Sequence, residues 1–448
     1  MAFNLIRNSR VFYTSNVDSV TGAVKSTGFL PANTREIQVL EGFSFSQNTT
    51  SETVTLNEAG ATPVRGQRSF NTALDPADFS FTTYMRPQDA GTNITAEEAV
   101  LWNAMFSNTE YSATPTAAVN SGSFVVGTKY TITALSDGLG GATTSFTAIG
   151  ASANTVGIVF TATGVGSGTG TATPVSTRAW TDGTTSAVCT VANSDKHQLL
   201  PFGMIIVVDE TTFVIDNCVL NTATIDFGLD AIASVQWAGQ GGTLRQINSP
   251  TITANTNLTT GGSFTANLAG SSIAGTFLQK VTSCPYIANK LSLVTLDADI
   301  GAGGTAYTIP ITGGSLTISN NVTYLTPANL ATVNKPVTYF TSTRAISGSL
   351  NAYLRTGTGF SADLMKTMLD DSATAVNPAF YMNISVGGTG TTKVDFTMPA
   401  VVLTIPTVNA EQVVSTTINF TAQGYSGSNF DIGAANELSI TYTTPNGV

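Results

Sequence analysis

The only histidine of the 448-residue chain is His197, so a Ser-His-Asp triad would have to use it. It stands beside Lys196, and no Gly-x-Ser-x-Gly element accompanies it, so it reads as a surface residue. Cys189, Cys218 and Cys284 are odd in number and widely spaced, which suits neither a disulfide framework nor a zinc site. Asp297 and Asp299 precede Gly301–Gly304 but lack the further oxygen ligands a calcium loop needs; a hairpin turn is the simpler reading. Gly164–Gly170 lacks the Lys-Ser/Thr ending of a phosphate loop and reads as a flexible connection. Glu97 and Glu98 are neighbours in sequence, so they do not face each other on a helix, and a helix start accounts for them. Asp370 and Asp371 read as solvated. These residues compose no catalytic constellation, and we expect no enzymatic activity, no cofactor and no metal.

Arg86 and Arg355 carry more information, because they end two similar strings. Ser80-Phe81-Thr82-Thr83-Tyr84-Met85-Arg86 is matched by Ser349-Leu350-Asn351-Ala352-Tyr353-Leu354-Arg355. An arginine ending a strand in each copy could pair with a carboxylate of a neighbouring subunit, or shield an edge strand. Further matches run in the same order. Ile6–Thr14 aligns with Ile287–Thr295, Gly42–Asn48 with Gly314–Asn320, and Gln236–Gly241 with Asn419–Gly424. The chain is read as a duplication, and two like units in one polypeptide can supply two equivalent positions in a ring.

The length calls for two or three domains. Charged residues make up 10% and hydrophobic ones 42%, which excludes a disordered chain. The abundance of Thr, Ser, Gly and Val favours strands. A net charge of −10 opposes a firm grip on DNA, yet an acidic surface suits a conduit that DNA only traverses. The N-terminus lacks a signal-peptide core. The longest aliphatic run, Met204–Val208, is too short to span a bilayer, so no membrane segment is expected and assembly in a cytoplasm is.

Strands are predicted near 9–15, 36–46, 69–86, 202–208, 338–355, 379–386, 392–405, 411–423 and 437–443. Helices are predicted near 96–107, opened by a Thr95/Glu98 capping box, and near 361–371, opened by Ser361. Residues 47–68 and 320–337 are long loops or hairpins between early strands, and such loops are usually functional. Alternating, glycine-punctuated runs such as Lys129–Thr133 and Val159–Gly164 place a small β-domain between the first helix and residue 195, on an outer surface.

Duplication with an inserted β-module resembles the tail tube proteins of tailed bacteriophages. The closing strings Val414–Gly424 and Asn436–Tyr442 are similar to the last strands of that family, and the insertion is similar to a module of phage virion proteins. The resemblance implies a mainly β fold: two tail-tube-type sandwich or barrel domains, each with one short helix. The expected organisation is a first domain over 1–116 and 195–247, an inserted domain over 117–194, a linker or arm over 248–285 and a second domain over 286–448. It further implies a structural virion protein whose homotrimeric, pseudo-hexameric rings stack into a tube with other tail proteins, through which DNA passes unbound. Arg86 and Arg355 are then candidate inter-subunit contacts. Glu52, Asn57, Arg65, Asn321, Asn329 and Lys335 are candidate ring-stacking residues. A rival reading is a β-rich adhesin or carbohydrate-binding protein with the insertion as its binding module.

Overall fold

The computed structural model describes residues 9–18, 24, 34–54, 68–89, 94–96, 98–106, 112–113, 118–124, 126, 129–174, 178–181, 199–208, 211–247, 251–252, 264–265, 286–297, 306–330, 332–374, 379–388, 392–409, 413–425 and 437–443. The fold is mainly β. In chain order, β1 (Ser9–Thr14), β2 (Thr34–Ile37) and β3 (Ser44–Ser46) are followed by a hairpin of β4 (Thr49–Val54) and β5 (Arg68–Leu74). Asp75-Pro76 then separates β5 from β6 (Ala77–Tyr84) and breaks the expected 69–86 strand in two, since proline cannot donate to a ladder. After β6 comes α1 (Ala99–Phe106). Four short strands follow, β7 (Val119–Asn120), β8 (Lys129–Ala134), β9 (Val159–Thr161) and β10 (Thr171–Pro174), and then β11 (Arg178–Thr181). The first half closes with β12 (Phe202–Val208), β13 (Thr211–Asp226), β14 (Ser234–Gly241) and β15 (Thr243–Ile247).

The second half runs β16 (Leu293–Asp297), β17 (Ala306–Ile309), β18 (Ile311–Ser319), and a hairpin of β19 (Val322–Leu325) and β20 (Thr338–Thr341). It continues with β21 (Ala345–Tyr353), α2 (Ser361–Thr374), β22 (Phe380–Gly387), β23 (Lys393–Leu403), β24 (Thr407–Asn409), β25 (Ser415–Gln423) and β26 (Ser439–Thr443).

One pairing scheme occurs in both halves. In the first, β1 pairs β2 and β12, β12 pairs β13, β13 pairs β14 and β15, β14 pairs β6, and β6 pairs β3. In the second, β16 pairs β17 and β22, β22 pairs β23, β23 pairs β25 and β26, β25 pairs β21, and β21 pairs β18. Even the irregularities agree. The register shifts at Phe202/Met204 where β12 meets β13, and at Phe380/Met382 where β22 meets β23. A bulge kept at one place in two halves marks it as a feature of the fold.

The registers also correct three of the sequence alignments. Ser80 lies opposite Ser44, and its counterpart Ser349 lies opposite Ser315. Ser44 therefore corresponds to Ser315, one residue away from the match of Gly42 with Gly314. That single step moves Phe45 onto Leu316, apolar on apolar, as the two-residue period of a strand demands. Ser80 and Ser349 likewise face Ala238 and Asn419, so Gly239 corresponds to Phe420 and Trp237 to Ile418, a shift of two from the match of Trp237 with Phe420. At the N-terminal strand, Tyr13 faces Met204 and Leu296 faces Met382, which again shifts the alignment by two. Shifts of two keep every side chain on its proper face and leave no trace in hydrophobic patterning.

Packing at the Gly239–Phe79 pair is reversed in the second half. A Cβ on Gly239 would meet Phe79 Cζ at 2.5 Å, and one on Gly348 would meet Phe420 Cζ at 2.5 Å. Phe79 and Gly348 occupy corresponding places, as do Gly239 and Phe420. Each pair keeps one ring and one glycine but exchanges the strand that carries the ring.

In the first half, β13 runs from the sheet of β1, β2, β12 and β15 into that of β3, β6 and β14, and the core lies between them. Phe202 of one sheet stacks on Tyr13 at 4.7 Å and meets Phe79 of the other sheet edge-on at 6.0 Å. Trp237 is fully buried, crosses Trp102 of α1 at 4.6 Å and donates from Nε1 to Thr83 Oγ1 at 2.9 Å. Cys218 is buried and donates to Ile215 O; burial pushes its thiol well above the ordinary range, so it is no nucleophile.

The two helices differ in surroundings. Every α1 residue except Asn103 is buried, as for a helix enclosed on all sides. The second half supplies part of that enclosure: Trp102 Nε1 donates to Tyr442 Oη at 3.0 Å, and Asn320 Nδ2 donates to Met105 O at 3.0 Å. In α2, Leu364 and Met368 are buried while Leu369 is 45% exposed. The expected capping box is not what starts α1. Thr95 belongs to a short strand, Ile94–Ala96, and the helix begins at Ala99. Glu98 is 1% exposed and accepts from Tyr442 Oη and from Arg86 N.

Strands β7–β10 form a separate four-stranded sheet over their own core of Phe124, Tyr130, Ile132, Phe146 and Phe160. The span expected for this module, 117–194, also takes in β11, which instead pairs β26 and the short strand Ser112–Ala113 of the main sheet. Val119 and Ala172 are direct cross-strand partners, so the module's entry and exit lie side by side. Replacing residues 119–172 by two glycines is therefore expected to leave the rest folded, with the main thermal transition moving by less than about 3 °C by circular dichroism, since a short loop closes at little entropic cost. A collapse of that transition would show that the module holds the main sheet together.

Candidate functional site

The feature that joins the two halves is a strand pairing. The end of β13 lies antiparallel to β18, with Thr222 opposite Ser319, Thr224 opposite Thr317, Ile225 opposite Leu316 and Asp226 opposite Ser315. Phe227 N to Gly314 O and Asn320 N to Asn221 O, both at 2.8 Å, flank the ladder. Ala223, Ile225, Leu316 and Ile318 beneath it are fully buried. One uninterrupted antiparallel sheet results, in the order β3–β6–β14–β13–β18–β21–β25–β24.

Alternation gives this sheet two unlike faces. Phe79, Phe81, Trp237, Leu316, Leu350, Ile418 and Phe420 point into the core. The other face carries Ser44, Ser46, Asp78, Ser80, Thr82, Gln236, Gln240, Thr222, Thr224 and Asp226 from the first half. Ser315, Thr317, Ser319, Ser347, Ser349, Asn351, Thr417, Asn419, Thr421 and Gln423 continue it in the second. Hydroxyls and amides bond across the strands: Ser44 Oγ with Ser80 Oγ at 2.8 Å, Gln240 Nε2 to Asp78 Oδ1 at 3.0 Å, and Thr417 Oγ1 with Asn351 Oδ1 at 2.9 Å. None of these positions is Lys or Arg. A wall of this kind is wetted and weakly negative, and it offers phosphate oxygens no cation.

The residues nominated from sequence fall in different places. Arg86 is 5% exposed; its guanidinium lies over the Tyr286 ring at 4.7 Å, and Nη1 donates to Gln38 Oε1 at 2.9 Å, all within the chain. Arg355 is exposed, with its guanidinium 4.0 Å from the Phe360 ring centre. The two share a backbone role: Arg86 N is held by Glu98, and Arg355 N donates to Ser361 Oγ at 2.8 Å. Glu52 sits on the exposed β4–β5 hairpin opposite Phe70, which is 51% exposed. Asn57 and Arg65 lie outside the described residues, as do His197, Cys189 and Cys284. Asn321 takes a left-handed turn conformation (φ 49°) and donates to Thr343 O. Asn329 and Lys335 are exposed on the β19–β20 connection, whose Leu330 is 99% exposed.

The β19–β20 hairpin does more than the loop reading foresaw. Tyr324 Oη donates to Asn217 O, and Tyr339 Oη donates to Leu199 O at 2.7 Å, so the hairpin is pinned to the first half. Burial pushes the Tyr324 hydroxyl well above its ordinary range, keeping it a donor. The long strand β13 and the junction it makes were missed from sequence. Their one local signal was a stretch rich in β-branched residues over Thr211–Asp226 that contains neither Gly nor Pro.

Among the described residues no cluster of His, Cys, Asp or Glu could hold a metal ion, and no helix is long and apolar enough to cross a membrane. A scan of protein-family models finds no match. Among curated proteins, the tail tube protein pb6 of Escherichia phage T5 is 28% identical over 439 residues, covering 94% of this chain and 73% of that protein. By this similarity the chain resembles a phage tail tube protein. The match extends over nearly the whole chain, so it takes in both halves of the duplicated pairing scheme.

Proposed function

We propose that three copies of this chain close a pseudo-hexameric ring and that rings stack into the tail tube, a non-enzymatic conduit through which DNA leaves the virion. The continuous sheet carries this reading. Each chain would contribute its eight strands to one barrel of roughly 24 strands; at about 4.8 Å per strand the backbone diameter is about 37 Å before tilt widens it. The hydroxyl- and amide-covered face would line the bore, where an absence of cations lets phosphate pass without being held. The two repeats, 1–116 with 195–247 and 286–448, are the two ring positions, with 117–174 of the expected 117–194 insertion peripheral, β11 belonging to the main sheet, and 248–285 connecting them.

In the same reading, Arg355 is an inter-subunit contact, whereas Arg86 acts within its own chain. The β4–β5 hairpin with Glu52, Asn57 and Arg65, and the β19–β20 connection with Asn321, Asn329 and Lys335, meet the next ring. Leu330 would anchor the second of these, since a leucine so fully exposed invites burial in a partner. Assembly takes place in the host cytoplasm, alongside other tail proteins. Negative-stain microscopy with mass measurement of the purified chain tests the proposal. Hollow rings or tubes with three chains per ring are expected; monodisperse monomers that bind glycans would favour a surface adhesin instead.

A further inference from the structure

From the internal junction we infer the register of the junction between chains: β24 of one copy pairs antiparallel with β3 of the next, Val408 opposite Phe45, Thr407 opposite Ser46 and Asn409 opposite Ser44. This rests on the proposed ring. Thr224 faces Gln236 and Thr407 faces Thr417 at corresponding places, so β24 corresponds to the end of β13, the strand that holds β18. By the registers above, Ser44–Ser46 corresponds to Ser315–Thr317 of β18. Among the described residues, β3 pairs only with β6 and β24 only with β25, which leaves each with an open outer side.

Burial points to the same occupant. Ile225 and Leu316 are 0% exposed at the internal junction, yet the matching Val408 is 39% exposed and Phe45 is only half-buried. A second, separate observation agrees: α1 is enclosed by the second half, while its counterpart α2 leaves Leu369 45% exposed. The partner that fits both vacancies is another copy of this chain.

The copied junction is not identical to its template. Asn221 O and Phe227 N point to β18, so by alternation the backbone of Ala223 and Ile225 does too. Ala223 corresponds to Pro406, which has no N–H. The inter-chain ladder thus lacks one donor that the internal ladder has. A proline on an outer edge also hinders uncontrolled strand addition. The ring therefore opens between chains before either chain opens between its halves.

A cysteine pair tests the register. In a background with Cys189→Ser and Cys284→Ser, Thr407→Cys with Ser46→Cys should give a ladder of covalent multimers when assembled particles are oxidised and run without reductant. The shifted pair Thr407→Cys with Ser44→Cys should cross-link at least five-fold less. Particles that form but yield no ladder, or yield it equally with the shifted pair, overturn the register while leaving the tube itself standing. If the parent chain forms neither rings nor tubes, the proposed function fails and the junction with it. Val408→Asp provides a second readout: the monomer should unfold at an unchanged temperature, because Val408 is exposed in it, but should not assemble. Normal assembly of that variant also overturns the inference.

Discussion

Lysine at Gln236 and Asn419 together is expected to leave tubes intact and to slow DNA release on the order of tenfold or more at low salt. Both side chains are exposed on the polar face of the continuous sheet, one in each half. In the proposed ring each chain would add two cations to the bore, and every stacked ring would repeat them along the path of the DNA. Each lysine that neutralises a phosphate releases counterions, so the retardation should fall steeply as salt rises and nearly vanish near molar concentrations. Release can be timed by fluorescent dye uptake from phage carrying the variant, with tube length checked by microscopy. Release at the parental rate from intact tails would show that this face is not the wall DNA meets. Aspartate at the same two positions, matching the sign of Asp78 and Asp226, should leave the rate within about twofold.

The second large effect concerns stability. Glu98→Ala is expected to lower it by about 2–5 kcal/mol, read from urea midpoints by fluorescence of the buried tryptophans. The carboxylate accepts from Tyr442 Oη and Arg86 N, and Tyr442 in turn accepts from Trp102 Nε1. Truncation leaves two buried donors without that acceptor and opens a hole beneath α1. Glu98→Gln, which keeps the size and one acceptor, should cost about 1 kcal/mol. Because Tyr442 lies in β26 and Trp102 in α1, the same substitution should loosen the docking of the halves. The transition should broaden or split for Glu98→Ala and remain single for Glu98→Gln. Equal midpoints for the parent and the alanine variant would remove this network from any stabilising role.

Much of the strand content was open to reading, because β6, β22, β25 and β26 alternate apolar and polar residues almost without fault. Both helices were visible from their apolar spacing, although the start of α1 was misplaced. Glu98 has the composition of a capping residue and is instead consumed by a tertiary contact with a tyrosine far along the chain. The repeat was legible in Ser80-Tyr84-Arg86 and its copy. Its exact register was not, since a slip of two keeps the same face buried and only the opposing strand reveals it. The continuous sheet was out of reach for a related reason. Pairing of β13 with β18 depends on two segments that are remote in sequence and that each look complete alone. Arg86 and Arg355 were singled out together because they look alike; their surroundings separate a buried in-chain anchor from an exposed residue.

The reversed Phe79–Gly239 and Gly348–Phe420 pairs bear on how the two halves diverged. A hybrid that grafts β6 of the first half beside β25 of the second would place two rings in space for one, and the opposite graft would leave a hole where a ring belongs. Neighbouring strands must therefore be inherited as matched couples. Recombination between the halves, or between related chains, should be tolerated at breakpoints that keep each couple together and purged where it divides one.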